Sequence, residues 1–262
     1  MYTPKPLLKL RNKAILDYII DKVEQLEKAP HTAHRTPYDK NALYSVHRTP
    51  YHKVNKVYII TNHKFYGQFH SWLLSKNDGY LGWIKLIDDG STTVEDRLGA
   101  IGDIELAIAN ENIDDDLLVI GADNLFDFDL NEFVEFSQNK VPFHSTCLYL
   151  ANNGVDLTRF GLAHLNGSQE VAAFEEKPEL PRSNLIGTCI YFFPKEKLYL
   201  VSKYLKEGHN RDTAGSYIRW LIQHGKVYGN ICDGTWYDLG DFDSLSHACI
   251  HFNGHKAEHI NL

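Results

Sequence analysis

Two aspartates follow predicted strands in this 262-residue sequence, and both could bind a metal ion. Asp123 comes directly after the apolar run "LLVI" (117–120), in "GADN", and Asp238 lies in "WYDLGD" between an aromatic pair and a glycine. Ligands collect at the carboxyl ends of strands in open α/β sheets, and carboxylates are the ligands with which proteins hold Mg²⁺ against a phosphate. Taken alone, Asp123 is also typical of a turn, because Asp and Asn are common turn residues.

Charged side chains of both signs could accompany the two aspartates. The stretch "FEEKP" (174–178) ends another apolar strand and presents Glu176 and Lys177. A carboxylate can accept hydrogen bonds from sugar hydroxyls and an ammonium group can bind a phosphate, so this pair suits a sugar phosphate. A solvated charge cluster is the alternative interpretation of the stretch. Lys5, in "PKPLLKL", adds a further cation. Two aspartates and two lysines are groups that the transfer of a phosphoryl or nucleotidyl group would use.

Composition limits the classes of partner. The formal charge of −7 argues against general binding to nucleic acid or to a membrane surface, since both need concentrated Lys and Arg. A small-molecule partner is therefore expected. No apolar stretch is long enough to span a bilayer and no signal-type segment opens the chain, so a cytoplasmic location is predicted. The scattered cysteines at 147, 189, 232 and 249 form no C-x-x-C motif and are predicted to be reduced core thiols.

Helix-type and strand-type patterns alternate along the first half of the chain. Helices are predicted in "AILDYIIDKVEQLEK", "KFYGQFHSWLL" and "GDIELAIAN", and strands in "KVYIIT", "WIKLI" and "DLLVI". This alternation predicts an α/β fold with a mainly parallel sheet that includes "VYII", "IKLI" and "LLVI". Because such apolar runs are covered on both faces, helices are expected on both sides of the sheet.

Strands follow each other more closely from about residue 143, so the second half is predicted to be mixed or antiparallel. Its predicted strands are "FHSTCLYLA", "RFGLAHLN", "VAAFEEK", "LIGTCIYFF" and "KVYGNIC", and its helices are "KEKLYLVSKYLKE", "AGSYIRWLIQHG" and a closing helix. No linker rich in Pro, Gly or Ser separates the halves. Residues 1–262 are therefore predicted to form a single domain.

An insertion interrupts this pattern at about residues 28–55. It contains the near-repeat "HRTPYDK" (34–40) and "HRTPYHK" (47–53). The residue before each proline is pushed out of the helical region, so a surface loop is predicted. Metal binding by its histidines is disfavoured, because neither cysteine nor a carboxylate cluster accompanies them.

Seven segments together resemble the sugar-phosphate nucleotidylyltransferases, and in particular the glucose-1-phosphate thymidylyl- and uridylyltransferases. The resemblance covers nearly the whole chain outside the insertion, with the segments in the family order. They are "TPKPLLKL-NKAILDYIIDKV", "YIITNHKFYGQF", "DGSTTVEDRLGAIGDIELAI", "LLVIGADNLF", "RFGLAHLN", "FEEKPELPRSNLIGTCIYFFP" and "WYDLGDFDSL".

The resemblance implies a Rossmann-like α/β core with a mixed sheet and an antiparallel sugar-binding portion. It also implies a reaction in which a nucleoside triphosphate and a sugar 1-phosphate give a nucleoside diphosphate sugar and pyrophosphate. These two substrates are the implied partners, and a homo-oligomer is left open. In-line attack of a sugar-phosphate oxygen on the α-phosphorus would depend on positioning and charge neutralisation.

The matching motifs also assign roles to individual residues. Lys5 would contact phosphates, and Asp123 and Asp238 would hold the Mg²⁺ cofactor; these three form the predicted catalytic set. Glu176 and Lys177 would bind the sugar hydroxyl and the sugar phosphate. The backbone of Gly161 would approach the sugar. Thr92, Thr93 and Gly99 fall where the family recognises the base.

The family's glycine-rich G-x-G-T-R loop has no counterpart ahead of Lys5 in this sequence. Its backbone N–H groups and arginine normally bind the triphosphate. We therefore expect the chain as written to bind a sugar 1-phosphate better than a nucleoside triphosphate, and a restored loop to recover turnover.

Two other functions compete with nucleotidyl transfer. A regulator that binds a sugar phosphate or a nucleotide would show binding without turnover. A metal-dependent glycosyltransferase would use a close Asp-x-Asp pair, for which "DFD" at 127–129 and at 241–243 is the nearest candidate. A dinucleotide-dependent dehydrogenase is disfavoured, because no G-x-G-x-x-G follows a strand.

Overall fold

The computed structural model describes residues 3–28, 54–240 and 242–252. Its α-helices are α1 (Ile15–Lys28), α2 (His63–Leu74), α3 (Asp78–Trp83), α4 (Gly99–Glu111), α5 (Leu130–Gln138), α6 (Tyr199–Lys206), α7 (Ala214–His224) and α8 (Phe242–His251). Its strands are β1 (Lys9–Leu10), β2 (Lys13–Ala14), β3 (Val57–Thr61), β4 (Ile84–Asp88), β5 (Leu117–Ile120), β6 (Asn124–Phe126), β7 (His144–Leu150), β8 (Gly161–Leu165), β9 (Val171–Glu176), β10 (Leu185–Phe193), β11 (Val227–Ile231) and β12 (Trp236–Asp238). Short 3₁₀ turns occupy Lys5–Leu7, Leu157–Arg159 and Lys195–Lys197.

The elements predicted from periodicity are present, with shifts of a few residues at their ends. The predicted helix in "AILDYIIDKVEQLEK" is α1, and its apolar stripe is buried, as at Ile19 and Leu26. The pattern did not indicate α3, α5 or β6. Most of the insertion at 28–55, including both "HRTPY" copies and their histidines, lies outside the described residues.

The longest strand, β10, organises the main sheet. It pairs antiparallel with β5, β7 and β8, and β8 pairs antiparallel with β9. Strand β11 joins β7 in parallel. The antiparallel portion predicted for the second half is confirmed.

The prediction of a mainly parallel sheet is wrong for the described residues. Strands β3 and β4 do pair in parallel, but β5 pairs antiparallel with β10 instead of joining them. Parallel pairing is confined to β3 with β4 and β7 with β11, and the other strand pairs of the described residues are antiparallel. An apolar run predicts a strand that is buried on both faces, but it does not specify the strand's neighbour.

Helices cover both faces of the main sheet, as predicted. Alternate residues of β10 enter two separate hydrophobic cores, because successive side chains of a strand point to opposite faces. Ile190 and Phe192 pack in a core with α1 and α5, whereas Tyr191 and Phe193 pack in a core with α4, α6 and α7. The fold is mixed α/β.

Cys147 and Cys232 form a disulfide, so the prediction of reduced thiols is wrong for this pair. Cys147 lies on β7 and Cys232 directly follows β11, with 6.2 Å between their Cα atoms. The parallel pairing of β7 and β11 brings them together from positions 85 residues apart. No local sequence motif could indicate this contact. Cys189 and Cys249 carry free thiols.

None of the described helices combines the length and the hydrophobicity that a bilayer-spanning helix needs.

Candidate active site

Pairing of β6 with β12 brings Asp123 and Asp238 to the same place in the fold. The antiparallel register sets Asp238 opposite Asn124, the residue after Asp123. The backbone amide of Leu239 donates to the carbonyl of Asp123 over 2.9 Å. Both aspartates are partly exposed, and both carboxylates are among the charged neighbours of the Cys189 thiol. The structure therefore places the two aspartates next to each other, directly before β6 and at the end of β12.

The buried side chain of Asn124 fixes the turn that carries Asp123. Its amide nitrogen donates to the carbonyl of Gly121 over 2.9 Å, and its carbonyl oxygen accepts from the indole N–H of Trp236 over 2.6 Å. The first bond closes the "GADN" turn, and the second ties this turn to β12. A β-carbon on Gly121 would lie 2.7 Å from the Asn124 amide nitrogen, so this position has no room for a side chain.

Lys5 lies beside the second aspartate. Its ammonium group donates to the carbonyl of Gly240, two residues after Asp238. A β-carbon on Gly240 would lie 3.3 Å from both carboxylate oxygens of Asp238, which shows how closely this backbone approaches the carboxylate. A cation from the start of the chain is thus positioned next to a carboxylate from its far end.

Glu176 ends β9 and lies against two glycines. Gly161 pairs with Glu176 across β8 and β9. Helix α7 packs on β9 through Gly215, whose β-carbon, if present, would lie 1.9 Å from the Glu176 carboxylate oxygen Oε2. The same added carbon would lie 2.7 Å from the ring of Phe174. Gly215 therefore leaves the space that the carboxylate and the ring occupy.

The electrostatics of Glu176 reflect this enclosure. Burial raises the pKa of its carboxyl group, while the positive charges of Lys177 and Arg219 oppose that rise. Lys177 is exposed and has a left-handed backbone, with φ of 45°, and its amide donates to the carbonyl of Phe160 over 3.1 Å. A half-buried acid beside an exposed ammonium group is suited to a sugar bearing a phosphate.

Of the three residues predicted to recognise a base, Thr92 and Thr93 make local contacts and Gly99 packs against a distant part of the chain. The amides of Thr92 and Thr93 donate to the Asp96 carboxylate over 3.0 and 2.9 Å. Gly99 has φ of 76°, and a β-carbon there would lie 2.7 Å from the carbonyl oxygen of Arg211. The glycine is thus explained by backbone packing. These contacts do not connect the three residues to the aspartates, and base recognition stays a prediction.

The donor set at the aspartates is compatible with Mg²⁺. Within the described residues, no cluster of three or more His, Cys, Asp or Glu side chains could hold a metal ion. Mg²⁺ does not need such a cluster, because it is commonly bound by one or two carboxylates together with waters and substrate phosphates. The Asp123 and Asp238 carboxylates could supply that number.

Sequence reasoning did not single out Cys189 or Gly215 as parts of this site. Cys189 lies within electrostatic range of the carboxylates of Asp123, Asp238 and Glu176. Gly215 lies in a predicted helix whose pattern gives no sign of a contact with Glu176. Both depend on strand and helix neighbours that lie far away in the sequence.

Comparison with known proteins identifies the family. Residues 38–253 match the Nucleotidyl transferase family. The chain belongs to this family. Its members transfer nucleotides to sugar phosphates, which agrees with the resemblance seen in the sequence. Lys5 lies outside the matched residues, so its assignment depends on the resemblance and on its contact beside Asp238.

Two curated relatives illustrate the range of similarity. The bifunctional protein GlmU of Methanocaldococcus jannaschii is 28% identical over 238 residues, covering 90% of this chain and 46% of that protein. A glucose-1-phosphate adenylyltransferase of Fervidobacterium nodosum is 30% identical over 132 residues, covering 49% of this chain and 31% of that protein. The chain thus spans half or less of these relatives' length.

Solved structures show the same fold. A Bacillus anthracis protein assigned as a glucose-1-phosphate thymidylyltransferase, solved with a sucrose, has a TM-score of 0.67 and 22% identity, over 95% of this chain and 86% of its own. HddC from Yersinia pseudotuberculosis has a TM-score of 0.63 and 14% identity, over 95% of this chain and 90% of its own. At these identities the likeness establishes the fold alone.

Proposed function

We propose that this protein is a sugar-1-phosphate nucleotidylyltransferase, which joins a nucleoside triphosphate to a sugar 1-phosphate and releases pyrophosphate. The observation that carries this proposal is that the pairing of β6 with β12 brings Asp123 next to Asp238. Lys5 lies beside Asp238. Glu176, like the two aspartates, is a charged neighbour of the Cys189 thiol. The reaction requires two carboxylates for the metal, an ammonium group for the phosphates and an acid that can accept hydrogen bonds from sugar hydroxyls.

The chemistry is a displacement at phosphorus. A phosphate oxygen of the sugar 1-phosphate forms a bond to the α-phosphorus, and the bond from that phosphorus to the oxygen bridging the α- and β-phosphates breaks. The electrons of the broken bond leave with pyrophosphate. Asp123 and Asp238 would hold Mg²⁺, which supplies neutralisation of phosphate charge when bound. No covalent intermediate with the protein is needed.

The side chains of this chain would divide the binding of the two substrates. Glu176 would accept hydrogen bonds from sugar hydroxyls, and its position against Gly161 and Gly215 fixes where the sugar ring can lie. Lys177, next to it, would bind the sugar phosphate. Lys5, held beside Asp238, would contact the phosphates of the nucleotide. A precise placement of both substrates is the main source of rate enhancement in such a reaction.

One observation disfavours the glycosyltransferase alternative. Asp127 accepts from the amide of Thr235 over 2.6 Å, and Asp129 accepts from the amide of Asn131 at the start of α5 over 2.9 Å. These contacts give the "DFD" at 127–129 a structural role. The side chains of the second "DFD" lie outside the described residues.

The test is pyrophosphate release by the protein with Mg²⁺, each nucleoside triphosphate in turn, and glucose 1-phosphate. Asp123→Asn and Asp238→Asn should each lower turnover by at least about 100-fold while leaving the melting temperature nearly unchanged, since losing a group that neutralises developing charge has that scale of effect. Asp233→Asn is the matched control, because Asp233 is exposed and five residues before Asp238.

Calorimetric titration completes the experiment. It compares the affinity for glucose 1-phosphate with the affinity for each nucleoside triphosphate. Binding of a sugar phosphate without pyrophosphate release, even after a glycine-rich strand and loop are added ahead of Tyr2, would favour the regulator. Full turnover by the Asp123→Asn or Asp238→Asn variant would contradict the proposed site.

A further inference from the structure

Cys189 has an unusual backbone conformation for a residue in a strand. It lies on β10, and its φ of 58° is in the left-handed region, which favours glycine. The register between β10 and β7 shifts between Gly187 and Tyr191, so Cys189 belongs to a β-bulge. Bulges commonly redirect a side chain next to an active site. The thiol is exposed and has no disulfide partner.

The bulge places Cys189 directly against the turn that carries Asp123. The carbonyl of Cys189 accepts from the amide of Gly121 over 2.9 Å. A β-carbon on Gly121 would lie 3.2 Å both from the β-carbon of Cys189 and from the carboxylate oxygen Oδ1 of Asp123. The cysteine side chain and the first carboxylate therefore flank the same small space.

The surroundings of the thiol come from three other strands or their turns. Its charged neighbours are Asp123 before β6, Asp238 at the end of β12 and Glu176 at the end of β9. The first two are the carboxylates assigned to the metal, and the third is the one assigned to the sugar. The thiol is thus within electrostatic range of both sets of carboxylates, and its side chain flanks the first of them.

We propose that Cys189 is a specificity-determining residue of the nucleotidyl transfer site, whose side chain limits the size of the sugar 1-phosphate that can bind. This inference rests on the proposed function and names the substrate class that it favours: hexose 1-phosphates without a bulky ring substituent. The thiol takes no part in the chemistry. It occupies volume that a glycine, which suits this backbone better, would leave open.

The first test is selective alkylation of the free thiols without reductant, which leaves the Cys147–Cys232 disulfide intact. With iodoacetamide, the Cys189 sulfur forms a bond to the acetamide carbon, iodide leaves and the thiol proton passes to solvent. Cys249→Ser removes the other free thiol. Alkylation of that variant should weaken glucose 1-phosphate binding by at least about tenfold, because the added group fills the space of the sugar.

Cys189→Ser is the matched control, since it keeps a side chain of similar size but leaves only Cys249 to react. Alkylation of this variant should leave the affinity for glucose 1-phosphate unchanged. Excess glucose 1-phosphate with Mg²⁺ should also slow the labelling of Cys189 but not that of Cys249, as followed by mass spectrometry. Equal affinity of alkylated and unmodified Cys249→Ser protein would overturn the inference.

The second test enlarges the site. Cys189→Gly should fold at least as well as the parent, because glycine suits a positive φ. Calorimetry should show that the variant binds N-acetylglucosamine 1-phosphate better relative to glucose 1-phosphate, by about tenfold compared with the parent ratio. An unchanged ratio would count against a steric role.

The two proposals fail in different ways. If the unmodified chain releases pyrophosphate but alkylation and Cys189→Gly change neither affinity nor selectivity, only the role of Cys189 is overturned. If the unmodified chain binds no sugar 1-phosphate at all, the proposed function falls and the role of Cys189 falls with it.

Discussion

The strand ends that carry Asp123, Asp238 and Glu176 differ from residues 92–96 of the loop at 88–99 in the origin of their contacts. The strand ends depend on tertiary pairing, since the pairing of β12 with β6 fixes the position of Asp238 and Glu176 lies against Gly215 of α7. In the loop, the amides of Thr92 and Thr93 bind Asp96, only a few residues away. A change in packing should therefore disturb the first region, whereas the second should tolerate changes in its own side chains.

The acids of the two regions differ as well. Near the loop, Asp103 of α4 is partly buried, and its oxygen Oδ1 has no hydrogen-bond partner among the described residues. Burial, followed by the negative charges of Asp89 and Asp212, raises the pKa of Asp103 to about 7. No cation is among the causes of this shift, whereas Lys177 and Arg219 oppose the rise at Glu176. Enclosure near the loop thus favours a neutral acid, and the strand ends combine acids with cations.

Apart from the two aspartate substitutions, the largest expected effect comes from Gly215→Ala. The added carbon would lie 1.9 Å from Oε2 of Glu176, so the carboxylate must move. We expect glucose 1-phosphate affinity, measured by calorimetry, to fall by at least about tenfold, because a displacement of about 1 Å at a site can cost more than that. Gly67→Ala in α2 is the control, since nothing lies within 4 Å of its added carbon. Unchanged affinity in Gly215→Ala would show that Glu176 does not hold the sugar.

A smaller effect is expected from Asp103→Asn, and it should depend on pH. The raised pKa means that the folded protein keeps this proton, whereas the unfolded chain, with an aspartate pKa of about 4, releases it. Stability should therefore fall as pH rises from about 4 to about 7 and then level off. Asparagine removes this dependence. After allowance for solvent screening, we expect Asp103→Asn to raise the free energy of unfolding at pH 8 by about 1 to 2 kcal/mol. Each kcal/mol corresponds to about 2 to 4 °C in melting temperature.

Thermal unfolding at pH 4 and at pH 8 measures this difference. The gain from Asp103→Asn should be present at pH 8 and nearly absent at pH 4, where the aspartate is protonated in the folded protein and about half protonated in the unfolded chain. Asp233→Asn, at an exposed position, is the control. An equal change in melting temperature at both pH values would contradict a neutral Asp103.

The smallest effect is expected from Asp96→Ala, which removes the carboxylate that binds the Thr92 and Thr93 amides. These amides lower the pKa of Asp96, but the group is fully exposed, so the melting temperature should hardly change. If the loop recognises the base, affinity for the nucleoside triphosphate should fall while that for glucose 1-phosphate stays constant. Titration with both ligands separates these cases, and loss of glucose 1-phosphate binding would show that the two regions are coupled.

The sequence by itself determined most of the elements and the types of residue at the site. Periodic burial produces a pattern that can be read locally, as in α1, because the apolar residues of a helix recur on one face. The strand-end position of Asp123 and the composition of "FEEKP" indicated the chemistry, and the order of segments indicated the family. These signals depend on short stretches of chain.

Only the tertiary structure decided which elements are neighbours. The antiparallel partner of β5, the disulfide between Cys147 and Cys232, and the positions of Cys189 and Gly215 against the carboxylates all join residues far apart in sequence. A strand can use either edge and either direction of pairing with the same alternation of side chains, and a glycine in a helix gives no sign of what approaches it. The physical reason is that burial is encoded in single residues, whereas the choice of partner depends on the packing of the whole chain.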